Sequence, residues 1–165
     1  MLTNVSSSAH ISFNLAAGTA SPFRGVIGTG ITAGAVTQGS QALNIDTGYS
    51  AGTNGQIHAY ENSRPATTTT PDKQGLFVVT RTSTTDVGVY RRSPIQTINT
   101  ARTGRTFTSY SSYENHTVRL FQLYSYGGAV GVTGSFATVG DGLTQTDVDN
   151  LYSLITTFNT TLGRT

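Results

Sequence analysis

Residues 75–82 read GLFVVTRT, and this stretch decides the fold. Leu76, Phe77, Val78 and Val79 follow one another without a polar break, so neither side of the segment can face water. A run this short, rich in β-branched and aromatic residues, is a strand buried on both sides, central in a sandwich. Residues 83–86 (STTD) supply turn chemistry, and residues 87–91 (VGVYR) return as the hairpin partner.

The same pattern extends in both directions. Residues 10–15 (HISFNL) alternate, with Ile11, Phe13 and Leu15 on one side. Residues 24–28 (RGVIG), 42–45 and 56–60 are further strands, and 95–98, 106–110, 118–124 and 136–139 follow the hairpin. Residues 67–72 (TTTTPD) read as a polar loop ending in proline, and 127–134 (GGAVGVTG) as a flexible or tightly turned segment. Strands recur about every 8–15 residues without helices between them, which points to an all-β fold, a jelly-roll sandwich of two antiparallel sheets. No repeat, heptad or linker divides the chain. Residues 1–9 are expected to be an N-terminal arm and 10–165 a single domain.

One helix closes the chain, over residues 144–162. The Thr144 hydroxyl is placed to accept the Asp147 N–H, and Asp147 complements the positive helix N-terminus. Val148, Leu151, Tyr152, Ile155, Phe158 and Leu162 recur at three- and four-residue spacing on one stripe. Asn150, Ser153, Thr156, Thr157, Asn159 and Thr160 occupy the other side. Leu143 precedes the cap as a staple onto Val148, Gly163 is a left-handed stop, and Arg164 suits the negative C-terminal end. Such a helix must lie on something.

The chain has 165 residues, enough for a core without staples, and no cysteine, so disulfides and Cys-based zinc sites are excluded. Only 11% of residues are charged, the net charge is +2, and Lys73 is the single lysine. The surface is therefore mostly Thr, Ser, Asn, Gln and Gly, which suits extracellular or particle-bound β proteins. No basic density for a nucleic-acid partner, no apolar run of membrane-spanning length and no signal peptide is expected.

Catalytic sets are sparse. Among the eight acids, Asp141, Asp147 and Asp149 belong to the start of the helix, and Asp72 and Asp86 to turns. Glu61 and Glu114 are the only candidate glycosidase pair, and no alternating acid motif surrounds them. His10, His58 and His116 are widely separated, so no metal site is expected. There is no GxSxG elbow, and the glycine-rich residues 25–34 have neither a GK pair nor a following helix, so no phosphate loop. The expectation is no enzyme, no cofactor and no metal.

Two clusters are candidate binding groups. Arg91, Arg92, Arg102 and Arg105 bracket a loop between late strands, either as a docking patch for an acidic partner or as a solvated loop protecting an edge. Tyr110, Tyr113, Tyr124 and Tyr126 offer flat faces and hydroxyls, either for sugar stacking and protein contact or for packing on a sheet face.

The order GLFVVTRTSTTDVGVYRR, RLFQLYSYGG and SFATVGDGLTQTDVDNLYSLITTFNTTLGR resembles concanavalin A-like, laminin-G-like jelly-roll modules of phage tail and virion proteins. In that pattern the return strand carries YRN and the chain closes on FA-IGDGLT-TE---LY--V--FQTTLGR. The likeness covers residues 10–165 and is most specific from Gly75 onward. Here Arg92 and Ser93 replace the usual NG turn, which implies a wider turn. The resemblance implies a two-sheet sandwich with the helix at its edge or across one opening. Such modules often hold calcium at the rim, but no Asp-rich loop is present to supply it. By that likeness the chain is expected to be a non-catalytic virion protein, a head decoration or tail-fibre module. Its partners would be other virion proteins and copies of itself. The alternative is a lectin-like module for a host surface glycan, with Tyr110, Tyr113, Tyr124, Tyr126, Arg91 and Arg92 as its contact residues.

Overall fold

The computed structural model describes residues 9–18, 25–30, 44–46, 56–61, 64–69, 74–83, 86–102, 117–120 and 132–164. The strands are β1 (Ala9–Gly18), β2 (Gly25–Gly30), β3 (Asn44–Asp46), β4 (Gln56–Glu61), β5 (Arg64–Thr69), β6 (Gly75–Arg81), β7 (Val87–Arg92), β8 (Thr97–Arg102), β9 (Thr117–Leu120) and β10 (Val132–Gly140). The helix is α1 (Gln145–Thr161).

The described part is mostly strand, and the segment GLFVVTR lies where its composition demands. β6 is the middle strand of an antiparallel sheet ordered β10-β1-β6-β7-β8, and every one of its residues is buried. Register sets the two faces of this sheet. Ser12 pairs with Val78 and Thr138, and Val78 with Tyr90, so these share one face. Phe13 pairs with Phe77, and Phe77 with Arg91, on the other. The remaining described strands pair antiparallel in the order β5-β4-β3-β2-β9.

α1 covers the Val78 face. Val148 and Ile155 are buried with Leu76, Val78 and Tyr90, and Phe136, Leu143, Leu151 and Tyr152 pack around them. Thr144 caps the helix: its hydroxyl accepts the Asp147 N–H at 3.3 Å, and the Asp147 carboxylate accepts the Thr144 N–H at 2.9 Å. These bonds hold the Asp147 carboxyl below the usual carboxylate range, the Thr144 hydroxyl first and its backbone second. Gly163 has φ 65°, the left-handed stop.

Two polar contacts fix the direction of α1. Asp149 bonds Arg92 on β7, and Asn159 Nδ2 donates to Ser135 Oγ on β10 at 3.2 Å. β7 and β10 are separated by β6 and β1, three steps of about 4.8 Å, or roughly 14 Å. Ten residues of helix rise about 15 Å. The helix therefore lies across the strands, on the face of the sheet. It does not sit at an edge or across an opening, as the resemblance implied, because Leu76, Val78 and Tyr90 make the apolar ground for it there.

Other expectations need correction. Residues 67–69, read as loop, belong to β5, which pairs with β4 from Gln56↔Thr69 to Glu61↔Arg64. Threonine is β-branched and favours strands, and Pro65 is tolerated because β5 is an edge strand among the described residues. Residues 132–134, read as turned, belong to β10. A Cβ on Gly134 would meet Phe13 Cζ at 2.0 Å, so the glycine there makes room for a ring. β8 starts at Thr97, since Ser93 and Gln96 close a turn with a 3.1 Å Ser93 N–H to Gln96 carbonyl bond. Ala9, assigned to the arm, already pairs with Arg81. Residues 106–110 lie outside the described residues.

Candidate functional site

Arg91 lies in the return strand as expected, and the strand runs on through Arg92, so neither belongs to a solvated patch beside the loop. They are 1% and 4% exposed, which removes both guanidinium groups from any solvent-facing docking patch. Alternation sends them to opposite faces. Arg91 lies over the Phe77 ring at 5.4 Å, donates to the Gln74 carbonyl at 2.8 Å and also to Gln96 Oε1. Arg92 lies over the Tyr90 ring at 5.8 Å and donates to the carbonyls of Arg91 and Ile98 at 2.8 and 3.0 Å. Its Nε donates to Asp149 Oδ1 at 2.5 Å. Burial raises the Tyr90 hydroxyl above its usual range; Arg92 opposes that shift and Asp149 adds to it. Arg102 ends β8. Tyr110, Tyr113, Tyr124, Tyr126, Arg105, Glu114 and His116 lie outside the described residues.

A buried polar row joins β1 to β10 beneath the helix face. The Asp141 carbonyl can only accept, so His10 Nδ1 carries the proton given to it at 2.5 Å. His10 Nε2 then accepts from the Thr138 hydroxyl at 2.9 Å. Thr138 has one proton, so Ser12 donates to Thr138 Oγ1. Asn14 Nδ2 donates to Ser135 Oγ at 2.7 Å. Burial keeps the His10 imidazole below its usual pKa of 6.5, against smaller opposing effects of Asp141. This hydroxyl–hydroxyl–imidazole row superficially resembles a nucleophile relay, but Ser12 is fully buried, so a substrate has no approach to it. Its role is to satisfy polar groups that β1 places on the buried face of the sheet that carries α1. Sequence alternation marked Ile11 and Phe13 as the inward side; the small hydroxyls Ser135 and Thr138 were the sign that the other side is covered too.

In the second set of paired strands, register sorts residues into two faces. Ile27 is level with Ile45 and Leu120, Ile45 with Ala59, and Ala59 with Ala66. On the alternate register positions Gly28 is level with Asn44 and Arg119, and Asn44 with Tyr60. On the same face Asp46 is level with Gly25 and His58, and His58 with Thr67.

Among the described residues, three large apolar side chains of the helix segment are exposed together. Leu154, Phe158 and Leu162 repeat every fourth residue along one flank of α1 and are 68%, 46% and 48% exposed. Phe158 also meets the Phe136 ring edge-on, with centroids 6.1 Å apart. From Asn150 to Gly163 the sequence carries no charged residue.

Among the described residues no cluster of His, Cys, Asp and Glu could hold a metal ion, and no helix is long and apolar enough to cross a membrane. No protein-family model matches the chain, and no curated protein or solved structure matches it either.

Proposed function

We propose that this chain is a non-catalytic structural module of a virion, acting through protein–protein contacts as a homo-oligomer. The observation that carries the reading is the open flank of α1: Leu154, Phe158 and Leu162, three large apolar side chains on one helix face. Its occupant is a second copy of the chain. The flank lies in a segment without charge, so a like surface meets no repulsion and can pair about a two-fold axis. Placement in a virion rests on the likeness of residues 75–165 to phage jelly-roll modules.

The sheets stack as a jelly-roll sandwich in this proposal. α1 covers one face of the five-stranded sheet, yet Phe13, Phe77, Val79 and Val89 on its other face are buried as well. The Ile27, Ile45 and Ala59 face of the second set of strands is apolar and needs cover. Pairing of β1 with β10 and of β2 with β9 is the wrapping that a jelly roll requires.

The test is incorporation. Particles purified from cells expressing the chain are expected to carry it, and the double variant Leu154→Ser, Phe158→Ser is expected to stay in the soluble fraction. Wild-type protein found only in the soluble fraction, with particles free of it, would refute the reading.

A further inference from the structure

Strand β1 reaches both ends of α1 through its polar residues. At the helix exit Asn14 Nδ2 and Asn159 Nδ2 both donate to Ser135 Oγ, at 2.7 and 3.2 Å. At the entry His10 Nδ1 donates to the Asp141 carbonyl at 2.5 Å, three residues before the Thr144 cap. Thr80 on β6 grips the chain two residues further on. Its hydroxyl accepts the Leu143 N–H at 2.7 Å and donates to the Leu143 carbonyl at 3.1 Å. Leu143 in turn packs against the Val148 cluster. Of these ties only His10 changes charge near neutral pH.

We propose that His10 is an acid-operated clasp: proton uptake by its ring frees residues 141–143, loosens α1 from the sheet, and so separates copies joined through the α1 flank. The last step rests on the contact proposed above; the first two do not. The neutral ring donates at Nδ1 and accepts at Nε2, and its neighbours are arranged for that state. Ser12 donates to Thr138, and Thr138 donates to Nε2. The imidazolium has no acceptor. Thr138 must then turn its proton from Nε2 towards Ser12, and fully buried Ser12 must turn its own proton away from Thr138. Staying docked thus reverses two hydroxyls and buries a charge, whereas a ring that moves into water avoids both.

The groups facing the ring set the direction. β10 faces it with Thr138 and Gly140, and β6 with Thr80, all uncharged. A Cβ on Gly140 would lie 3.1 Å from His10 Cε1, so the ring rests on that glycine. Arg81 follows Thr80 and alternates to the opposite side of the sheet. At the start of α1, Asp147 is bonded to Thr144 and Asp149 to Arg92. The Asp141 carboxylate favours the charged ring, but less than burial disfavours it. The released ring therefore takes up a proton at higher pH than the docked one. Release gains as pH falls below the usual 6.5 towards the lowered docked value.

The experiment is amide hydrogen exchange of the full chain, read at residues 148–155 and corrected for the intrinsic effect of pH, with light scattering on the same samples. Wild-type protection is expected to fall roughly threefold to tenfold between about pH 7 and about pH 5.5, the effect of one proton taken up on opening. Its molar mass is expected to fall towards 17.4 kDa over the same range. His10→Asn keeps an amide donor at the place of Nδ1, and His10→Gln keeps an amide near that of Nε2. Neither titrates, and both are expected to hold protection and mass constant. Circular dichroism at neutral pH checks each fold, and either folded variant carries the test. Exchange is repeated in Leu154→Ser with Phe158→Ser, which lacks the flank contact, so clasp and contact are judged apart. Wild-type protection that ignores pH, or that falls equally in the His10 variants, overturns the clasp. A mass that holds at about pH 5.5 while protection falls overturns its link to the contact. A wild type that is monomeric at neutral pH refutes the contact alone, and the exchange result still decides the clasp.

Discussion

Arg92 and Asp149 tie the helix to the sheet: Arg92 Nε lies 2.5 Å from Asp149 Oδ1, and the two side chains are 5% and 51% exposed. The asymmetry decides what each substitution does. Removing Asp149 leaves a buried guanidinium with carbonyl partners only, but half-exposed Asp149 was already screened by water. Asp149→Ala is therefore expected to cost about 1–2 kcal/mol. Arg92→Ala also loses two carbonyl bonds and the packing over Tyr90, and is expected to cost about 3 kcal/mol or more. Urea denaturation of both variants checks the order; equal costs would contradict it.

Gly134 is required by Phe13. A Cβ there would lie 2.0 Å from Phe13 Cζ, and Phe13 is almost fully buried. Gly134→Ala is expected to destabilise by about 1–3 kcal/mol through overpacking. Phe13→Leu alone also destabilises, but the double variant should recover part of the sum, a coupling of about 1 kcal/mol in a double-mutant cycle. Simple additivity would show that the ring and the glycine do not meet.

His10 makes stability depend on pH. Its folded pKa lies below its usual 6.5, because burial disfavours the imidazolium. Below about pH 6.5 the unfolded chain takes up a proton that the folded chain refuses, so stability rises with pH in that range. The contribution is complete above pH 6.5 and is lost as pH falls through the lowered folded value. The unfolding midpoint of the wild type should drop between pH 7 and 5, and His10→Gln should flatten that slope. Identical slopes would remove His10 as the cause.

Much of this fold is readable along the chain where one pattern dominates. The four-residue apolar run from Leu76 to Val79 announces a doubly buried strand, and Thr144 with Asp147 announces a capped helix start. Polar residues that serve the interior were harder. His10, Ser12, Asn14 and Thr80 are buried on the side of the sheet that faces α1, His10 and Thr80 bonded to Asp141 and Leu143 of the segment leading into the helix, and nothing local in HISFNL tells that a remote segment will cover its polar side. Arg91 and Arg92 read as a docking patch or a solvated loop edge because two adjacent arginines look exposed; partners outside their own strand, Gln74, Gln96 and Asp149, are what hold them inside. β5 has no such signal, because a threonine run has no apolar face to count.

Light scattering across a concentration series tests the contact between copies most directly. Wild-type protein is expected to have a molar mass that is a whole multiple of 17.4 kDa, and Leu154→Ser with Phe158→Ser to return it to the monomer with its fold intact. A wild type that stays monomeric at about 100 μM, or an oligomer untouched by the double substitution, would contradict it.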